Sequence, residues 1–154
     1  MKIGIIVYSQ TGNTYSVAEK LKAKLASAGH SVNLERITPV SGAKDGKNVQ
    51  FGKLPDLTAY DGLVFAAPVQ AFSLAPVMAA YMKQLPSLNG KKIACFVTKG
   101  LPFTWTGGSG AIGKMKHACE SVGGTVGATG FVVWRRANLE KNIADVVEAI
   151  GISF

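Results

Sequence analysis

The sequence predicts an α/β fold: a doubly wound, five-stranded parallel sheet with helices on both faces. Three observations predict it. Apolar, β-branched runs alternate about five times with segments whose apolar residues recur at helical spacing. Most of those runs are apolar throughout, as strands covered on both faces must be. The chain has 154 residues, enough for one full core and short of two. Strands that alternate with helices pair in parallel, and right-handed crossovers then wind the sheet in both directions.

The elements follow in order. Lys2–Tyr8 is the first buried strand. Thr14–Ala28 carries Val17, Ala18, Leu21, Leu25 and Ala28 on one helical face, with Lys20, Lys22 and Lys24 turned outwards and Gly29 as the stop. Ser31–Ile37 alternates Val32 and Leu34 with Asn33 and Glu35, the pattern of an edge strand with a wetter face. Residues 38–60 read as a long polar loop, with at most a short helical turn at Pro55–Tyr60. Gly62–Ala67 is the third strand, ended by Pro68. Leu74–Leu85 reads as a helix with Ser73 at its N-cap and Pro76 in its first turn. Lys91–Thr98 is the fourth strand and Lys99–Gly108 a loop. Ser109–Val122 is an amphipathic helix ended by Gly123 and Gly124. Thr125–Trp134 is the fifth strand and Asn138–Ile150 the last helix. No repeat, low-complexity stretch or domain boundary interrupts this order, so residues 1–154 read as one domain.

Composition excludes several classes. The chain is 47% apolar and 17% charged, a balance that suits a packed core and excludes disorder. No run is long enough to span a membrane or to form a secretory signal, which reads as cytoplasmic. Cys95 and Cys119 lack C-x-x-C spacing and read as buried free thiols. His30 and His117 have no matching ligand spacing, so no metal site is expected. The formal charge is +8, yet its lysines are scattered and no arginine-rich or aromatic-basic module appears, so no nucleic-acid partner is expected. The charge favours acidic protein partners or anionic surfaces.

The chemistry concentrates where the first strand meets the first helix, at Ser9-Gln10-Thr11-Gly12-Asn13-Thr14. A helix N-terminus offers unpaired N–H groups and partial positive charge. The hydroxyls of Ser9, Thr11 and Thr14 add donors, and Gly12 lets successive N–H groups converge. With no lysine or arginine inside the loop, a phosphate would be held by neutral donors, as suits the monoester tail of a cofactor. The plainer reading is an ordinary cap made by Thr11 or Thr14, with Gly12 as a turn. Position favours the ligand, because such sheets bind beyond the carboxyl ends of their strands. No Walker A loop is present. Gly108, Gly110 and Gly113 match G-x-G-x-x-G, but they follow the fourth strand and no acid lies about 20 residues on. They read as a helix start and close packing.

The strand-loop-helix bearing S-x-T-G-N-T resembles the FMN phosphate loop of flavodoxins, and the order of elements matches theirs from Lys2 to Ile150. The resemblance implies strand order 2-1-3-4-5 and one FMN at the ends of strands one, three and four. Ser9, Gln10, Thr11, Gly12, Asn13 and Thr14 would hold the phosphate. Pro68, Val69, Gln70, Ala71 and Phe72 match the first flavin loop. Thr98, Lys99, Gly100, Phe103, Trp105, Gly107 and Gly108 fall in the second. Phe72, Phe103 and Trp105 are the aromatic candidates for stacking, with simple packing or partner contact as the alternative for each.

This chain departs from the family in three ways. It is basic where electron-transfer flavodoxins are usually acidic. Its second flavin loop has Lys99, Trp105 and Gly107-Gly108 where acids and a tyrosine are common, and Thr98, Gly100, Gly107, Gly108, Ala111 and Met115 look more like the wider flavodoxin-like oxidoreductases. Its second helix is reduced to a loop. The flavin loops hold Lys99 and no carboxylate, so a couple less negative than in acidic members is expected.

The resemblance implies an electron carrier between redox partners, an acidic protein on the charge argument, acting as a monomer or weak dimer. Leu101-Pro102-Phe103 and Trp105 would offer it a contact patch. The alternative is an NAD(P)H-dependent FMN or quinone reductase. A third reading is a basic module that binds an anion without redox chemistry. No general acid or base is evident beside the flavin loops, so no catalytic residue is assigned.

Overall fold

The computed structural model describes residues 1–40, 49–100, 107–135 and 137–154. The order is β1 (Lys2–Val7), α1 (Asn13–Ser27), β2 (Ser31–Arg36), a 3-10 turn at Leu57–Ala59, β3 (Gly62–Gln70), β4 (Ser73–Leu74), α2 (Pro76–Met82), β5 (Lys92–Lys99), α3 (Gly108–Ser121), β6 (Thr125–Val133) and α4 (Leu139–Gly151). Five strands run parallel in the order β2-β1-β3-β5-β6. That is the expected 2-1-3-4-5 once the short β4, which pairs only with β3, is set aside.

Alternation along the buried strands sorts the core into two layers. Ile3, Ile5 and Val7 of β1, Val64 and Ala66 of β3, and Ala94 and Phe96 of β5 face α1 and α4. Ile6 of β1, Leu63, Phe65 and Ala67 of β3, and Ile93, Cys95 and Val97 of β5 face α2, α3 and the 49–60 segment. A run that is apolar at every position is what a strand covered on both sides requires. Lys20 and Lys24 of α1 pair with Glu140 and Glu148 of α4 at the surface, so part of the outward lysine face serves that seam.

Two expectations need correction. Pro68 does not end β3, which runs to Gln70 and turns back through Ala71 and Phe72 into β4. Pro68 lies opposite Thr98 of β5, and its carbonyl accepts the Ala75 N–H at 3.1 Å on the side where β1 has already ended. The missing proline N–H therefore costs no ladder bond. Ser73 is not an N-cap: it lies in β4, and the helix starts three residues later at Pro76. The short antiparallel β4 is thus added to the expected five parallel strands. Both cysteines are buried and free, as expected. A hydrogen bond with Cys119, then burial, holds the Cys95 thiol well above the ordinary range.

Tyr60 closes the side of the sheet between β1 and β2. Its ring lies flat on Gly4, where a Cβ would stand 2.7 Å from a ring carbon. Its hydroxyl donates to Glu35 at 2.5 Å and accepts from Asn33 at 3.2 Å. Gly4→Ala is therefore expected to cost about 1–3 kcal/mol by overpacking, read as a lower urea midpoint with unchanged slope. Burial, then the hydrogen bond to Glu35, raises the Tyr60 phenol above 10.0, and burial, with the negative charge of Glu35 acting through space, raises that of Tyr81. The fold then holds these protons where the unfolded chain releases them. Stability is expected to be complete below pH 10 and to fall as pH climbs past it, more gently in Tyr60→Phe, as followed by urea unfolding.

Candidate functional site

The parallel register ends β1, β3 and β5 at one edge, setting Val7 beside Ala66 and Pro68 beside Thr98. A cleft of about 280 Å³ opens there. Gln10, Thr11 and Asn13 line it from the first loop, Pro68, Val69 and Gln70 from the end of β3, and Thr98, Lys99 and Gly100 from the end of β5. The three segments singled out in the sequence therefore share one cleft, and no carboxylate is among these lining residues.

The first loop is built by Ser9 and Gly12. Gly12 is the N-cap of α1 with φ 95°, a left-handed conformation that strains any residue with a Cβ. Helices leave their first four N–H groups unpaired, here those of Gly12, Asn13, Thr14 and Tyr15, since the Ser16 N–H is the first to bond back, to Gly12. The buried Ser9 hydroxyl accepts two of them, Gly12 N–H at 3.1 Å and Tyr15 N–H at 3.3 Å. The adjacent pair from Asn13 and Thr14 remains for a ligand, and the Ser9 proton remains to donate. Thr14 is not a cap. Its hydroxyl is buried against that of Thr98 at 2.7 Å, tying the start of α1 to the end of β5.

One residue was missed in the sequence. Arg36 closes β2, beside Val7 in register. Its guanidinium donates to the Ser9 carbonyl at 2.5 Å and lies 5.2 Å from the centre of the Tyr15 ring. A fixed positive charge thus stands against a loop that contains none. The signal was the strand order: in a 2-1-3 sheet, the last residue of β2 neighbours the loop after β1.

The hairpin after β3 forms the opposite wall. Gln70 donates from its side-chain amide to that of Gln10, joining the two loops across the cleft. Ala71 and Phe72 adopt φ 49° and 61°, the left-handed conformation of a two-residue hairpin turn, without the usual glycine or asparagine. Such strain, about 1–3 kcal/mol per residue, persists only where the surroundings enforce it. Gly107 is one enforcing neighbour: a Cβ there would lie 2.1 Å from the Phe72 carbonyl oxygen. Phe72 itself is 58% exposed at the tip. On the far side, the Lys99 ammonium lies 5.5 Å from the centre of the Phe131 ring, close to Gly108. Open space surrounds Gly110 and Gly113, so close packing explains Gly107 and Gly108 but not these two. Phe103 and Trp105 lie outside the described residues, as does the patch from Leu101.

Comparison with protein families matches the chain to the Flavodoxin domain over residues 4–104, a span from β1 through β5 that holds both walls of the cleft. Comparison with curated proteins gave no match. Among solved structures, flavodoxin 2 of Bacillus cereus is 20% identical with TM-score 0.70, covering 100% of both chains. The two-electron reduced flavodoxin of Megasphaera elsdenii is 23% identical with TM-score 0.68, over 97% of this chain and 98% of that one. A flavoprotein of Lactobacillus acidophilus, solved in complex with FMN, is 17% identical with TM-score 0.67, over 97% and 98%. At these identities the likeness is one of fold.

The Thr14–Thr98 pair is open to a direct test. Thr14→Val leaves the Thr98 hydroxyl buried and unpaired, and is expected to cost about 1–3 kcal/mol, whereas Thr14→Val with Thr98→Val should be close to neutral. Urea unfolding of the single and double variants measures the difference, and simple additivity would count against the pair.

Proposed function

This chain belongs to the flavodoxin family, and from that premise we propose that it binds one FMN and carries electrons between redox proteins. The division of N–H groups at the start of α1 carries the reading. Ser9 takes the outer two and leaves the inner pair side by side, the arrangement an anion needs at a helix N-terminus. The donor set fits a phosphate monoester. Ser9, Gln10, Thr11, Asn13 and Thr14 supply neutral donors, Gly12 makes the turn that presents them, and Arg36 adds a charge from behind the loop. Among the described residues no carboxylate lines the cleft to oppose it. Pro68–Phe72 on one side, with Thr98, Lys99, Gly100, Gly107 and Gly108 on the other, would flank the ring system.

FMN, when bound, supplies one- and two-electron transfer. The protein supplies position, access and charge. Lys99 and the carboxylate-free lining favour negative charge in the cleft, which supports a couple less negative than that of an acidic relative. The exposed Phe72 at the cleft wall suits contact with a partner protein. The net charge of +8 favours an acidic one.

The purified protein is expected to be yellow, or to quench the fluorescence of added FMN, and a colourless protein with no quenching would sink the proposal. Arg36→Gln should weaken FMN about tenfold, equivalent to roughly 1.4 kcal/mol, and leave riboflavin unchanged, since only the phosphate meets this loop. Stopped-flow mixing with NADPH separates the carrier from a reductase: a carrier keeps its colour over the period in which a reductase bleaches.

A further inference from the structure

A second groove lies on the outer side of the 70–74 hairpin, between α2 and α3, with a volume of about 340 Å³. Leu74, Ala79, Met82, Leu85, Ala118 and Val122 give it an apolar lining. Lys83 and Lys114 also line it, and among the described residues no carboxylate does. Two other grooves differ in this respect: the one along β2 includes Glu35 and Asp56, and the one on α1 includes Glu19. Lys114 is held in place, donating to the Ser73 hydroxyl at 2.7 Å. Ser73 follows the exposed Phe72 directly, so groove, aromatic tip and cofactor cleft share a single hairpin.

We infer that this groove docks an amphipathic helix with acidic flanks, presented by the redox partner. The apolar lining calls for apolar anchors, which a helix delivers at i, i+3, i+4 and i+7. The two lysines call for carboxylates beside those anchors, in keeping with the charge of +8. A nucleic acid would offer phosphates but no side chains to fill the lining, and a bilayer surface is flat where this groove is concave. A helix seated here would bring its protein against Phe72 and so to the wall of the cofactor cleft. The redox nature of the partner rests on the flavin reading; the docking of an acidic helix does not.

The test is an amide NMR titration of the full chain with a synthetic amphipathic helical peptide carrying a leucine stripe and glutamate flanks. Controls are the same peptide with lysine flanks and vesicles of phosphatidylglycerol. The glutamate peptide should shift amides of α2 and α3, and the lysine peptide should not. Lys83→Glu with Lys114→Glu should weaken the glutamate peptide at least about tenfold, the scale of close interfacial charge pairs, with FMN titration unaltered. Equal binding of both peptides, shifts confined to other elements, or vesicles moving these amides when the peptide does not would each overturn the inference. Peptide docking on a protein that fails to bind FMN would support the groove and overturn the cofactor reading.

Discussion

The central strand β1 constrains everything else in this molecule. It pairs in parallel with β2 on one edge and β3 on the other, and both its faces are covered by packed side chains. A parallel strand in this position must send its chain out at the same edge as its neighbours. The loop after β1 is therefore delivered to the place where β3 and β5 end. Gly4 shows how closely this strand is fitted, since it makes room for the Tyr60 ring. Any slip of β1 would expose its apolar set and separate the loop from both walls of the cleft.

At that edge the polar groups are shared out with little left over. Ser9 spends both its lone pairs on the helix start, and Thr14 and Thr98 satisfy each other across two elements. Buried hydroxyls left single would be costly, so these pairings fix geometry as well as energy. Arg36 then pins the Ser9 carbonyl from the neighbouring strand. The cleft wall on the other side is strained, with Ala71 and Phe72 in the left-handed region and Gly107 packed against them. One wall is made precise by satisfied hydrogen bonds, the other by backbone strain held in place by close packing.

The alternation of elements, the buried strands and the loop at residues 9–14 were all legible in the sequence, because each depends on local pattern. What escaped depends on neighbours in space. The extension of β3 past Pro68 was hidden because a proline normally stops a ladder, and only the early end of β1 removes the penalty. The turn at Ala71–Phe72 carries none of the glycine or asparagine that marks such a hairpin, so Leu74 was read as helical. Arg36 looked like the end of an ordinary edge strand until the register set it beside Val7. Ser9 and Thr14 were read as phosphate donors through their hydroxyls. What the sequence did not show is that Ser9 also organises backbone donors and that the Thr14 hydroxyl also ties the loop to β5.

Six of the nine acidic residues make their contacts away from the cofactor cleft. Glu140 and Glu148 pair with α1 lysines, and Asp145 pairs with Lys141 on the same helix. Glu35 accepts from Tyr60, Asp61 accepts the Lys2 N–H, and Asp56 caps the turn at Thr58. Glu140 and Glu148 serve the α1–α4 seam, Asp145 stays within α4, and Glu35, Asp56 and Asp61 lie around β2, the 57–59 turn and the start of β1. Lys99 lines the cleft and Lys83 and Lys114 line the α2–α3 groove, and among the described residues no carboxylate is part of either lining. Uneven placement of acids and lysines gives a basic protein a directional field, and a field of that kind can orient a charged molecule before contact. Net charge alone would act alike at every face, whereas the placement of the acids makes the faces unequal.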